Sequence, residues 1–249
     1  MNFLSKKICF LGLAAAMLLS AFSAEAHANI IRRRTVSQAD GEQRTYVLPP
    51  PQTQGTLSVE AALNNRRSHR NFQNKALSKA QLSQILWSAY GITMPLPQAG
   101  LRGGLRTTPS AGASFPLEIY VVIGNVEGVE PGVYRYIPQE HKIVRTLNAD
   151  VRRELAAASL NQRMVQEAPI TVVFTGIIER LTRRYGARSR RYMYMEIGHA
   201  SQNVYLQAEA LGLGTCAIGA FTDARVSAVL ALPQEEEPLY LMPVGYIRR

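Results

Sequence analysis

The segment Tyr192-Met193-Tyr194-Met195-Glu196-Ile197-Gly198-His199-Ala200-Ser201-Gln202-Asn203-Val204-Tyr205-Leu206-Gln207-Ala208-Glu209-Ala210-Leu211-Gly212-Leu213-Gly214 decides how the chain is read. It contains no proline. Ile197, Ala200, Val204, Ala208 and Leu211 recur at helical spacing and make one apolar face. Glu196, His199, Asn203 and Gln207 form a polar stripe beside it. Met193, Leu206, Ala210 and Leu213 widen the apolar surface, the pattern of a helix buried over most of its circumference. Gly212 and Gly214 end it, because glycine takes positive φ at a helix C-terminus. The spacing predicts a helix from Tyr192 to Leu211, a rod about 30 Å long that would cross a domain or line an interface between two copies. Thr215-Cys216-Ala217-Ile218-Gly219-Ala220-Phe221 follows, small and glycine-rich, where a flat ligand can approach the backbone.

Upstream, the patterns alternate between helix and strand. Leu57 to Asn65 reads as a short helix with Val59, Ala62 and Leu63 on one face. Ser78-Lys79-Ala80-Gln81 is a capping box, followed by an amphipathic helix carrying Leu82, Ile85, Leu86 and Ala89 and ended by Gly91. Residues 93–108 read as a loop, and Arg106-Thr107-Thr108-Pro109-Ser110-Ala111-Gly112-Ala113-Ser114-Phe115-Pro116 is small and hydroxylated, able to lie flat against a ring system. Leu117 to Gly124 is a buried strand. Gly132–Tyr136 and Lys142–Val144 make a hairpin across Pro138-Gln139-Glu140-His141. Asp150 caps a helix reaching Leu160, Ile170–Phe174 is another strand, Thr222 or Asp223 opens a helix that Pro233 ends, and Leu239–Ile247 is the last strand.

Arginine is unevenly spread. Arg66-Arg67-Ser68-His69-Arg70 can grip a phosphate, since arginine offers a planar fork of donors and serine a short hydroxyl. A solvated helix end fits the same residues. Six arginines lie from Arg180 to Arg191 with Tyr185 and Tyr192 among them. Basic residues interleaved with aromatics occur in nucleic-acid proteins, but no nucleic-acid module surrounds these. A solvated helix face and a charged lid over an anionic ligand remain.

The totals bound the rest. The chain has 249 residues, 47% hydrophobic, enough for one domain with a sizeable core. Lys6 and Lys7 precede an apolar run from Ile8 to Phe22, and Ala24-Glu25-Ala26-His27-Ala28 offers cleavage near Ala26 or Ala28. The run is shorter than the roughly 20 residues a membrane span needs, so cleavage is expected over anchoring, with no stable span afterwards. No lipobox cysteine follows and no twin arginine precedes it. A periplasmic or secreted protein is expected. Cys9 leaves with the signal, and Cys216 remains without a partner for an intrachain disulfide. Removal through Ala28 takes Lys6, Lys7 and Glu25, which lowers the formal charge of +10 by one. So basic a protein attracts anions. Residues 29–56, with Arg32-Arg33-Arg34 and Pro49-Pro50-Pro51, read as an extended arm, and 57–249 as the domain.

Four stretches together resemble the nitroreductase superfamily, specifically its SagB-type FMN-dependent dehydrogenase branch. They are Arg66-Arg67-Ser68-x-Arg70, Pro109-Ser110-Ala111-Gly112-Ala113-x-x-Pro116, Glu196-x-Gly198-His199-x-x-Gln202-Asn203 running into Ala210–Gly214, and Met242-Pro243-Val244-Gly245-Tyr246. The resemblance covers roughly residues 57 to 247. It implies an α+β fold, a mostly antiparallel sheet flanked by helices, with the long central helix at a homodimer interface. It implies one FMN per site, built from both subunits, and no metal. By position, Arg66, Arg67 and Ser68 hold the phosphate end and Arg70 reaches the N1/O2 edge, where negative charge develops on reduction. Pro109, Ser110, Ala111 and Gly112 come from the partner and contact the ring. Ala217, Ile218 and Gly219 face the ring near N5, with a backbone N–H donating to it. Arg248 or Arg249 adds to the phosphate site. Members that oxidise azolines carry a Lys-Tyr pair before the central helix; Arg184-Tyr185 stands there in this chain. Arginine stays protonated and makes a poor base, whereas Tyr185 can donate a proton.

The expected activity is two-electron transfer to a small aromatic acceptor, a quinone or nitro compound, or dehydrogenation of another small molecule. The alternative is a non-catalytic module of the same fold that holds a flavin or another planar anion.

Overall fold

A computed structural model of the chain describes residues 44–248 apart from Pro97 and Ala99, all within the compact unit Gln43–Arg249. The expected signal peptide, the arginine triplet and Arg249 lie outside the described residues.

Two strands form the centre because apolar side chains dominate them, with Glu118, Thr171 and Thr175 the buried polar exceptions. β4 (Leu117–Ile123) and β7 (Ile170–Gly176) are buried throughout and pair antiparallel, from Leu117 opposite Gly176 to Ile123 opposite Ile170. Around them lie β1 (Thr45–Val47), β5 (Gly132–Ile137), β6 (Lys142–Leu147), β8 (Gly214–Thr215) and β9 (Glu237–Gly245). The order is β1-β6-β5-β4-β7-β9-β8, and every pairing in it is antiparallel. Successive strand residues face opposite sides. Leu117, Ile119, Val121 and Ile123 therefore meet helices α2 (Lys79–Tyr90) and α6 (Ser189–Ala210) on one face. Tyr120 and Val122 meet α3 (Arg152–Ala158) and α7 (Asp223–Leu230) on the other. The remaining helices are α1 (Val59–Asn65), α4 (Arg163–Glu167) and α5 (Glu179–Tyr185).

The predicted central helix is present as α6, three residues longer at its start. Met193, Ile197, Ala200, Val204 and Ala208 are buried. Each fully buried side chain of this size contributes about 1.5–3 kcal/mol relative to exposure, less for alanine. Gly212 takes φ 64°, as expected. Gly214 does not; it is a strand residue whose Cβ would meet His69 at 2.8 Å and Ile247 at 2.7 Å. Glu196 leaves the expected polar stripe and is buried.

Three further expectations change. Residues 93–108 are not all loop: β2 (Ile92–Pro95) and β3 (Gly104–Arg106) pair as a separate hairpin. Gly104 makes it possible, at φ 142° and with its Cα so close to the Met94 carbonyl that no side chain fits. The arm, read as lacking strand periodicity, carries a strand at its end: Thr45–Val47 is an edge strand on β6. The backbone carbonyl of Pro49 then accepts from Ser83 Oγ at 2.6 Å. Finally, α1 buries only Ala62, and Val59 and Leu63 are exposed in the single chain.

The capping box is present in full: Gln81 N–H donates to Ser78 Oγ at 3.2 Å and Ser78 N–H to Gln81 Oε1 at 3.0 Å. Ser78→Ala should cost about 1 kcal/mol and lower the melting temperature by about 2–4 °C. Thermal unfolding followed by circular dichroism checks this.

Candidate functional site

The sequence-predicted residues collect at the two ends of α6. At its C-terminal end, Arg66, Ser68 and Arg70 alternate along a stretch that bridges to β8 through Ser68 and Thr215, with His69 N–H donating to Thr215 O at 2.9 Å. Tyr205 ties this stretch to the next. Its hydroxyl lies 3.0 Å from Ser68 Oγ and accepts from Ala217 N–H at 2.8 Å, and the Arg66 guanidinium stands 5.2 Å over its ring. Arg248 N–H donates to Asn71 O at 3.0 Å, which brings the chain's last described residue to the same place. Beside it opens a cavity of about 530 Å³ lined by Gln73, Gly212, Tyr246, Ile247 and Arg248.

The charge there is uncompensated. Among the described residues, no salt bridge engages Arg66, Arg67, Arg70 or Arg248. Arg67 stands apart from the others, because its guanidinium turns back onto the carbonyls of Asn64 and Arg66. Burial raises the thiol pKa of Cys216, and the nearby Arg70 charge offsets part of that rise. Thr215 Oγ1 is buried without a partner.

The Ala217-Ile218-Gly219 trio divides. Ile218 packs its side chain into the core and exchanges backbone hydrogen bonds with Leu241 at 2.9 and 3.0 Å, so its N–H is engaged. Ala217 N–H goes to Tyr205. Gly219 is exposed, and its N–H has no acceptor among the described residues. A Cβ at Gly219 would meet the Tyr240 ring at 3.2 Å.

At the other end of α6 lies the Pro109–Gly112 loop. Gly112, Ala113 and Phe115 all take positive φ, at 55°, 52° and 46°. Such backbone strain concentrates at functional sites. Ser110 Oγ accepts from Phe115 N–H at 2.8 Å, and Arg184 Nη1 donates to Gly112 O at 3.2 Å. A Cβ on Gly112 would fall 2.4 Å from both Arg184 Nη1 and Tyr185 Oη, so glycine is what lets the loop meet that pair. Tyr185 packs edge-on against Tyr192, with centroids 4.8 Å apart. Tyr192 and Tyr205 are thirteen residues apart on one helix, a separation of about 20 Å. The loop runs along the helix between these points: Asn203 Nδ2 donates to Thr107 O at 3.2 Å and Thr108 Oγ1 at 3.1 Å, and Ser110 stands over Glu196, nine residues and about 13 Å from Tyr205. Of the six arginines near α5, Arg180 pairs with Glu118 and Arg190 with Glu237.

Two residues of this region escaped sequence reasoning. Tyr205 carries a polar handle on an otherwise apolar helix, and buried tyrosine hydroxyls usually find partners. Glu196 sits under the Ser110 loop and accepts a short hydrogen bond from Tyr90 Oη, while its Oε2 has no partner. Burial pushes its carboxyl up to about 7, against the opposing pull of Ser110, Tyr90, Arg106 and the Ala111 amide. Among the described residues, no group of three or more His, Cys, Asp or Glu side chains could hold a metal ion. No described helix is long and apolar enough to cross a membrane.

Comparison with known proteins places this arrangement. A model of the nitroreductase family matches residues 63–246. A protein of Methanocaldococcus jannaschii that carries a provisional nitroreductase name is 48% identical over 189 residues, 76% of this chain and 91% of that protein. A solved structure from Ralstonia eutropha, provisionally named a nitroreductase, aligns at 28% identity with TM-score 0.69 over 83% of this chain and 90% of that one. The NADPH:FMN oxidoreductase of Vibrio harveyi, solved with NAD+, aligns with TM-score 0.53 at 20% identity over 76% and 68% of the two chains, and so shares the fold.

Glu196 titrates near 4.5 when unfolded and near 7 when folded. Its contribution to stability is fully present below about 4.5 and is lost as pH rises through 7, on the order of a few kcal/mol in total. Glu196→Gln cannot ionise. Its melting temperature should therefore fall less between pH 5 and pH 8 than that of the parent protein, as scanning calorimetry across that range would read.

Proposed function

The chain belongs to the nitroreductase family, and from that premise we propose that this oxidoreductase is FMN-dependent and works as a homodimer on a small aromatic acceptor such as a quinone or nitro compound. The observation that carries the reading is the uncompensated arginine cluster beside the free amide of Gly219. A phosphate fits the first and a ring nitrogen the second.

FMN, when bound, supplies the hydride chemistry, and the protein supplies binding and electrostatics. Arg66 and Ser68 grip the phosphate end, with Arg248 alongside. Arg70 holds fixed positive charge where the ring system gains negative charge, and such preorganised charge requires no reorganisation during reaction. Gly219 N–H donates toward the ring. The offset of about 13 Å along α6 between Glu196, under the Ser110 loop, and Tyr205, beside Arg66 and Ser68, supports a site completed by a second copy, whose Ser110–Gly112 loop would cover the ring. The exposed apolar residues Val59 (64%), Leu63 (53%) and Met195 (52%) support the same association. Tyr185, held against Gly112, carries a proton at the mouth of the site, and Arg184 attracts an anionic reactant. The N-terminal pattern of Lys6, Lys7 and the apolar run supports work outside the cytoplasm.

The mature protein should purify yellow or become so on reconstitution, with FMN identified by mass after extraction; a protein that stays colourless overturns the proposal. Arg66→Ala should weaken FMN binding about 10–100-fold, the loss of one charge-assisted partner. Fluorescence titration reads this. Photoreduced protein mixed with a quinone panel should reoxidise faster than free FMN, and an equal rate would identify a binding module in place of an enzyme.

A further inference from the structure

A second cluster of arginines lies apart from the residues assigned to the flavin. Glu118 is buried at the start of β4 and meets three guanidinium groups. Arg180 and Arg102 reach its Oε1, Arg102 at 3.3 Å, and Arg135 reaches Oε2 at 2.9 Å. A fourth, Arg106, stacks over the Tyr90 and Phe115 rings at 4.4 and 4.7 Å and donates to two carbonyls. Its Nε is buried with no partner. Between these groups is a cavity of about 50 Å³ lined by Arg102, Arg106, Arg135, Glu118, Tyr136 and Gln139. A space that holds one water needs roughly 10–15 Å³ by this measure, so a tetrahedral oxyanion fits. Arg102 and Arg135 leave 40% and 37% of their side chains exposed, which gives access from solvent.

The charges do not balance within the protein. Burial alone would raise the Glu118 carboxyl, but Arg135 and Arg180 outweigh it and hold the group ionised. The other acids nearby are engaged elsewhere and shifted upward. Glu236 bonds to Thr175 and Tyr120, and burial raises its carboxyl. Glu196 is bound to Tyr90 and raised likewise. Burial and the Arg180 charge in turn lower Arg102. Three guanidinium groups thus share the Glu118 carboxylate, and a fourth, Arg106, lies beside them without an ion pair among the described residues.

We propose that this cavity between Arg102, Arg106 and Arg135 is a binding site for a small oxyanion of phosphate size, with the partly exposed Arg102 and Arg135 guanidiniums as donors. Guanidinium forks suit such a ligand. An anion held there also fixes Arg106 over Phe115, whose N–H holds Ser110 Oγ, so occupancy stiffens the strained loop.

The test is the melting temperature of the full-length mature protein in inorganic phosphate against sodium chloride at matched ionic strength. Phosphate at ten times its Kd should raise it by about 3–6 °C. Arg102→Gln should lose most of that rise, and Arg66→Gln, at the flavin phosphate site, should keep it. No rise beyond chloride, a full rise in Arg102→Gln, or loss confined to Arg66→Gln overturns the proposal. Because Arg102→Gln also loosens Glu118, crystals soaked in arsenate give a second reading. An anomalous peak within hydrogen-bond distance of the Arg102 or Arg135 guanidinium is expected; a peak only beside Arg66 and Arg70 counts against the site.

Discussion

One helix must be buried on its apolar side and still present polar groups at both ends, and the rest of the chain is arranged to meet that demand. The sheet supplies the apolar floor through alternate residues of β4 and β7. Tyr205 and Glu196 are two polar residues on α6 tied to distant segments. Each bonds to a segment that carries chemistry: Tyr205 to Ser68 and Ala217, Glu196 to Tyr90 beneath the Ser110 loop. A buried polar group without a partner costs about 1–3 kcal/mol. The helix therefore selects where those segments sit, and core packing and site geometry have one cause.

Charge is handled in two different ways. Carboxylates inside the domain are either matched by guanidinium groups, as Glu118 is, or pushed toward neutrality by burial, as Glu196 and Glu236 are. Arginines at the C-terminal end of α6 receive no such match. A positive field with no internal counter-charge draws small anions, and salt screens it over about 8–10 Å. The contrast separates residues that stabilise the domain from residues free to meet a ligand.

Most elements were legible because their periodicity is local. The capping box at Ser78, the apolar runs of β4 and β7 and the glycine at Gly212 all act through neighbours in sequence. The family motifs were legible because four short stretches fall in order at family spacing. What was missed depends on distant partners. Glu196 looked like part of a polar stripe because a helical wheel cannot show that Tyr90 and Ser110 cover it. Thr45–Val47 is too short to show alternation, and its pairing with β6 is set by tertiary contacts. The β2–β3 hairpin is hidden by its prolines and glycines, which read as loop. The backbone pairing of Ile218 with Leu241 was not legible either, because its register is not written in its own segment.

The seven-stranded sheet ends in three residues on one side, β1, and two on the other, β8. Edges so short expose few unpaired amides and carbonyls, which is how many proteins avoid growing a shared sheet with another molecule. Short edge strands disfavour strand-to-strand extension at β1 and β8. The helical surfaces, where Val59, Leu63 and Met195 stand uncovered, offer apolar area instead. The same blunt edges protect the concentrated protein against fibrillar growth, a property that belongs to strand length and not to surface charge.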